Sequence, residues 1–195
     1  MARQMTENRR PSQEAQQSMI AEAILSLLRT GGHAALTTDA VAATAGVSKA
    51  TIYKMWPNKS QLLIHAASTW LVIFDVPDRG SFREEVRELL HYRAEQYNSE
   101  HGGHLFAALV GATAQDPDFR AVFKDWVREQ MGANANIIQR GIERGELRKD
   151  FDPNAIGTLI AAPLIYRMVV EGDLVDDALI DAVVESLTFA ITINQ

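Results

Sequence analysis

The sequence predicts an all-α protein of about nine helices, with an N-terminal three-helix unit built around a helix-turn-helix and a longer C-terminal helical unit. Three observations predict it. Apolar residues recur at spacings of three and four along nearly all of the 195 residues. Ser, Thr or Asp opens most of these runs and Gly or Pro closes them, as helix caps do. No stretch alternates polar and apolar residues as a half-buried strand would, and no internal repeat or low-complexity tract competes.

The elements follow in order. Ile20, Ile24, Leu27 and Leu28 recur at helical spacing, and Gly31-Gly32 ends that run. Thr37-Thr38-Asp39 opens a short second helix, with a hydroxyl for the free N–H groups and a carboxylate at the positive end of the helix dipole. Ala45-Gly46-Val47 is a turn, and Ser48 caps a third helix over 49–55. A fourth starts at Pro57-Asn58-Lys59-Ser60 and runs to about Phe74, before the break at Pro77-Asp78-Arg79-Gly80. Ser81-x-x-Glu84 is a capping box for a helix to about Asn98. His101-Gly-Gly103 reads as a loop before a helix holding Leu105, Phe106, Leu109 and Val110. Asp116-Pro117 starts one long helix to about Arg144. After the polar connector 145–153, two mostly apolar helices span about 153–170 and 176–193.

Composition excludes several function classes. No cysteine is present, so disulfides, thiolate metal sites and cysteine nucleophiles are out, and a reducing compartment fits. The N-terminus lacks the apolar stretch of a secretory signal. The most apolar run, 155–166, is interrupted by Pro163 and stopped by Arg167, short of the roughly 18 residues of a membrane helix. The expectation is a soluble cytoplasmic protein without a membrane partner. Gly-x-Ser-x-Gly, a phosphate-cradling Gly loop and His-Glu-x-x-His are all missing, so no catalytic residue, enzyme activity or cofactor is expected. His101-x-x-His104 has no carboxylate pair to complete a metal site, and no metal is expected.

Charge is unevenly placed. Residues 1–62 carry seven Lys/Arg and four acids, a net +3, whereas the rest of this −6 chain is strongly acidic. A cationic end on an anionic body suits contact with a polyanion at one end only. In residues 38–55, Val41, Ala42, Ala45, Val47 and Ile52 let two short helices pack across a Gly turn. Lys49, Ala50, Thr51, Tyr53 and Lys54 are then left on the outer surface of the second. That set suits a DNA major groove. Ala50 and the Thr51 methyl can approach thymine methyls, and the Thr51 hydroxyl can bond base edges. Lys49, Lys54 and Lys59 can neutralise phosphates, and the Tyr53 and Thr38 hydroxyls can bond phosphate oxygens. The N–H groups at Asn58–Ser60 offer a phosphate site. Arg9 and Arg10 can reach the backbone or a minor groove from a flexible arm, residues 1–12. Trp56 reads as a wedge between the third and fourth helices.

Thr37-Thr-Asp-Ala-Val-Ala-Ala-Thr-Ala-Gly-Val-Ser-Lys-Ala-Thr-Ile-Tyr-Lys-Met-Trp-Pro-Asn-Lys-Ser-Gln-Leu62 resembles the DNA-binding domain of TetR/AcrR-family transcriptional regulators. The likeness runs from about Ile20 to Leu63. Ala50 stands where Gly is frequent, and Met55-Trp56 where His-Phe or Tyr-Phe is common; these departures bear on the operator sequence. The resemblance implies DNA contact at Thr38, Ser48, Lys49, Thr51, Tyr53 and Lys59. It also implies that 13–62 is the DNA-binding domain and 63–195 a ligand-binding and dimerisation domain.

The last two helices carry apolar residues nearly all round, which demands burial on more than one side. Pairing of two copies into a four-helix bundle answers that demand. Leu159, Pro163, Tyr166, Arg167, Val183 and Leu187 are the candidate interface, and two recognition helices would meet a near-palindromic operator at about 34–36 Å spacing. Tyr92, Phe106, Trp126 and Met131 are candidate pocket residues for an unknown small-molecule effector. The leading expectation is a homodimeric, ligand-released repressor binding double-stranded DNA. The alternatives are a helical small-molecule-binding protein or enzyme with a vestigial DNA-binding domain, or a transcriptional activator.

Overall fold

A computed structural model describes residues 12–100 and 102–191, without the side chains of His33 and Ala133. Arg9, Arg10 and His101 lie outside the described residues. The described residues form ten α-helices and one π-helical turn, with no β-strand. The chain divides into two compact units after Thr69, within the fourth helix.

The first unit holds α1 (Gln13–Ala35), α2 (Thr38–Ala45), α3 (Lys49–Met55) and most of α4 (Lys59–Trp70). Gly32 leaves the helical conformation near the end of α1, at φ 60°, where the Gly pair is expected to end the run. Ile20, Ile24 and Leu28 of α1, Val41 of α2, Ile52 of α3 and Leu63 of α4 are each 2% exposed or less and form the core of this unit. Leu62, Leu63, Ala66 and Ala67 bury one face of α4, which keeps that helix with the first unit. α4 ends at Trp70, earlier than the sequence suggests, and Leu71–Arg79 is non-helical.

The second unit contains α5 (Phe82–Tyr97), α6 (Gly102–Gln115), α7 (Pro117–Gln130), α8 (Gly132–Glu143), α9 (Pro153–Tyr166), the π turn (Arg167–Glu171) and α10 (Asp177–Ile191). α5 is central and packs on α6, α8, α9 and α10. Ser81 caps it as expected, its hydroxyl accepting from the Glu84 N–H at 3.2 Å. Three expectations are corrected. Gly102 and Gly103 are helical, not loop: α6 starts so close to the end of α5 that a Cβ on Gly102 would lie 2.3 Å from the Tyr97 carbonyl oxygen. The single helix 116–144 is two, because α7 closes at Met131, whose N–H bonds Val127, and α8 starts afresh at Gly132. Pro163 does not break α9. The helix runs through it and widens four residues later into the π turn, so Pro153–Glu171 is continuous and apolar enough to cross a membrane by length and composition alone.

An ion cluster anchors the segment before α5. Glu85 is fully buried and pairs with Arg140 and Arg144 of the α8 end, both at 3.0 Å. Its Oε1 accepts from the Arg79 N–H, Arg140 donates to the Val76 carbonyl, and Arg144 reaches Asp78 at 3.1 Å. A buried carboxylate is tolerable only with such multiple partners. On the other side of α5, Arg83, Arg87 and His91 face Glu185, Asp181 and Asp177 of the antiparallel α10, a ladder at one-turn spacing.

Candidate nucleic-acid interface and body cavity

The recognition unit is built by its caps. The Thr37 hydroxyl accepts from the Ala40 N–H at 3.1 Å and starts α2. Gly46 ends it at φ 66°, ψ 28°, a left-handed position that glycine occupies without steric cost. Ser48 then caps α3 from the Thr51 N–H at 3.1 Å, and its hydroxyl also meets that of Thr51 at 2.8 Å. The side chain of Asn58 accepts from the Gln61 N–H at 2.9 Å and opens α4.

These caps fix which face of α3 turns outward. Ile52 is 1% exposed against the core. Lys49, Ala50, Tyr53 and Lys54 are exposed, Tyr53 at 55%, and Thr51 is half-buried. Lys59 is exposed at the start of α4, its ammonium lowered from its usual pKa by partial desolvation, and Thr38 is half-buried at the start of α2. α3 borders an open polar groove against the beginning of α1, lined by Gln13, Gln17, Ser48, Thr51 and Lys54. Trp56 is buried, and its ring lies 4.4 Å from that of His65, which places it as a wedge between α3 and α4. Burial lowers the His65 pKa, partly opposed by its contact with the Gln17 carbonyl. Lys49 is held by Asp39, 2.6 Å away on α2. Sequence reasoning misses this pair, because no spacing rule joins residues across a turn.

In the second unit, Phe106, Trp126 and Met131 line a small cavity with Leu89, Ile160 and Ile165. Tyr92 is not among its lining: its ring stacks on Phe74 at 4.3 Å, and its hydroxyl is held by Val72 and Gln96. Three polar residues that periodicity does not single out, Arg93, Gln130 and Asn134, complete the wall. Among the described residues no group of three metal-binding side chains forms.

The expected interface residues divide. Leu159 and Tyr166 are 54% and 56% exposed, Pro163 and Arg167 are half-buried, and Arg167 pairs with Glu171 at 2.7 Å. Val183 and Leu187 are instead buried in the chain's own core, since that face of α10 packs on α5 and α9. The outward face of α10 has small residues, Ala178, Ala182 and Ser186, followed by Phe189, which is 85% exposed. With Val170 and Leu174, also mostly exposed, the unburied apolar surface runs from α9 through the π turn to α10.

Residues 20–66 match the family described as bacterial regulatory proteins, tetR family, and residues 76–187 match the tetracyclin repressor-like C-terminal domain. The chain is 31% identical over 173 residues to an uncharacterized HTH-type transcriptional regulator, YdeS, of Bacillus subtilis, covering 87% of this chain and 86% of that protein. It is 28% identical over 181 residues to the DNA-binding transcriptional repressor TetR of Mycobacteroides abscessus, covering 87% and 90%. Among solved structures, the TetR family transcription regulator SCO0332 is 28% identical with a TM-score of 0.69, over 89% of this chain and 97% of that one. A TetR transcriptional regulator from Agrobacterium tumefaciens, at 23% identity, shares the fold with a TM-score of 0.70, over 92% and 95%.

Proposed function

Because the chain belongs to the TetR family of bacterial transcriptional regulators, and is therefore a DNA-binding regulator rather than an enzyme, we propose that it acts as a homodimeric repressor released by a small molecule. The observation that carries this reading is the outward face of α3, where Lys49, Ala50, Tyr53 and Lys54 are exposed on a helix otherwise anchored by Ile52. Tyr53, Ala50 and Thr51 read base edges or meet the backbone, and Lys49, Lys54 and Lys59 neutralise phosphates. Ser48 contributes through its cap, which fixes where α3 begins. Thr38 supports a backbone contact from α2.

The dimer reading rests on the exposed surface of Leu159, Tyr166, Val170, Leu174 and Phe189. An apolar face of this extent on a regulator's last helices is better covered by a second copy than left to water. We read Pro153–Glu171 as part of this interface rather than as a membrane span, and place the protein in the cytoplasm with its DNA. The cavity beside Trp126 and Phe106 is the effector site, α5 to α9 its walls, and the link to the reader is covalent, through α4 and residues 71–81. An effector binding one conformer better than the other shifts the population away from the DNA-competent form.

Selection of bound sites from random duplexes tests the reading. A near-palindromic site with half-sites about one helical turn apart supports it. Enrichment of nothing at low salt refutes DNA recognition, and a single unrepeated half-site refutes the dimer. A reporter under the recovered site decides between repressor and activator.

A further inference from the structure

The cavity of the second unit holds a charge that its own chain leaves unanswered. Arg93, on α5, is 8% exposed. Its Nη2 donates to the Gln130 carbonyl at 3.2 Å, while Nη1 is buried without a hydrogen-bond partner. Among the described residues it has no carboxylate partner, unlike the other enclosed guanidinium groups. Arg140 pairs with Glu85, and Arg144 is answered by Glu85, Asp78 and Glu146. Gln130 Oε1, on α7 of the same cavity lining, is also buried without a partner. The remaining lining is largely apolar, with Leu89, Phe106, Trp126 and Ile160. A guanidinium enclosed in such surroundings without a counter-ion costs several kcal/mol, which an arriving anion would remove.

We propose that the effector is a small carboxylate with an apolar remainder. This rests on the reading of the cavity as the effector site. The Arg93 Nη1 hydrogens meet the carboxylate oxygens, a charge-assisted geometry that a guanidinium fork provides. Gln130 Oε1 accepts from a hydroxyl or N–H of the same ligand, and Trp126 and Phe106 enclose the apolar part. In the present conformer the cavity is only about 50 Å³, against about 150 Å³ for an engineered apolar cavity that takes benzene. Binding therefore separates the walls. Gln130 is the last residue of α7, directly before the helix break at Met131, so α7 is the wall that can tilt without unwinding α8.

The test uses the full chain with two ligand series: hexanoate, hexanol and hexylamine, and benzoate, benzyl alcohol and benzylamine. Binding is read by calorimetry and by the rise in melting temperature. The carboxylates are expected to bind at least about tenfold more tightly than the alcohols, and the amines not to bind. In Arg93→Met the carboxylate preference disappears while the alcohols bind as well as before or better. Arg93→Lys keeps the preference at reduced affinity, which a guanidinium of merely structural role would not produce. Alcohols or amines binding as tightly as carboxylates, or a preference that survives Arg93→Met, overturns the inference. Release of the operator complex by a neutral or cationic compound overturns the carboxylate while leaving the effector reading intact. An operator complex that responds to neither series, from a protein that binds neither, overturns both.

Discussion

At the scale of single residues, Lys49 is the sharpest test of the proposed DNA interface. It is exposed on α3 and paired with Asp39 at 2.6 Å, so a phosphate approaching it competes with a carboxylate. Replacing Lys49 with Ala is expected to weaken operator binding and to reduce the slope of log K against log salt by about 0.9 for each phosphate no longer neutralised, hence about 2 for a dimer. Asp39→Asn removes the competitor and is expected to tighten binding by less than about tenfold, since exposed pairs are weak. Both are read from salt titrations of a labelled duplex; an unchanged slope in Lys49→Ala removes Lys49 from the phosphate role. His65 sets a pH dependence of the recognition unit. Half-buried against Trp56, it takes a proton less readily folded than unfolded. Its contribution to stability is therefore fully present above about pH 6.5, the ordinary imidazole value, and is lost as pH falls from there toward the lowered folded value. His65→Phe, which keeps a ring against Trp56, should flatten melting temperature against pH in that window.

At the scale of elements, the caps are legible because each is local. Thr37, Ser48, Ser81 and Asp116 each bond an N–H two or three residues ahead, and sequence spacing encodes such contacts. The break between α7 and α8 is marked in the sequence only by Gly132, a single glycine without the proline or polar loop that marks the other breaks in this unit, so the sequence reads as one helix through it. Val183 and Leu187 fall on the inner side of α10 rather than the outer, because a helix apolar nearly all round does not say which stripe its own chain will bury. Glu85 escapes sequence reasoning as the Lys49–Asp39 pair does: its partners Arg140 and Arg144 lie more than fifty residues away. Glu85→Ala leaves two guanidinium groups without their shared carboxylate and frees the backbone at Arg79. Urea unfolding of the second unit is expected to show a drop in stability of about 3–5 kcal/mol. A drop under about 1 kcal/mol would mean that water replaces the pair readily.

For the molecule as a whole, the two compact units carry opposite charge balance, and the proposed pairing surface is what would join two copies on one operator. Phe189, 85% exposed on α10, is the most direct handle on that surface. Phe189→Asp is expected to give a monomer by sedimentation with its melting temperature little changed, and to weaken operator binding by orders of magnitude because two half-sites no longer share one ligand. A variant that stays dimeric moves the interface elsewhere. The helices and turn of the helix-turn-helix are legible because their caps are local and tightly spaced. The cavity is not, because Arg93, Gln130 and Asn134 come from α5, α7 and α8 and meet only through tertiary packing. The most direct measurement of the central claim is sedimentation of the purified protein with and without its selected duplex at low salt. Two chains per duplex, with protection in two adjacent major grooves on one face, is the expected result. A protein that sediments as a single chain and leaves every duplex free would contradict it.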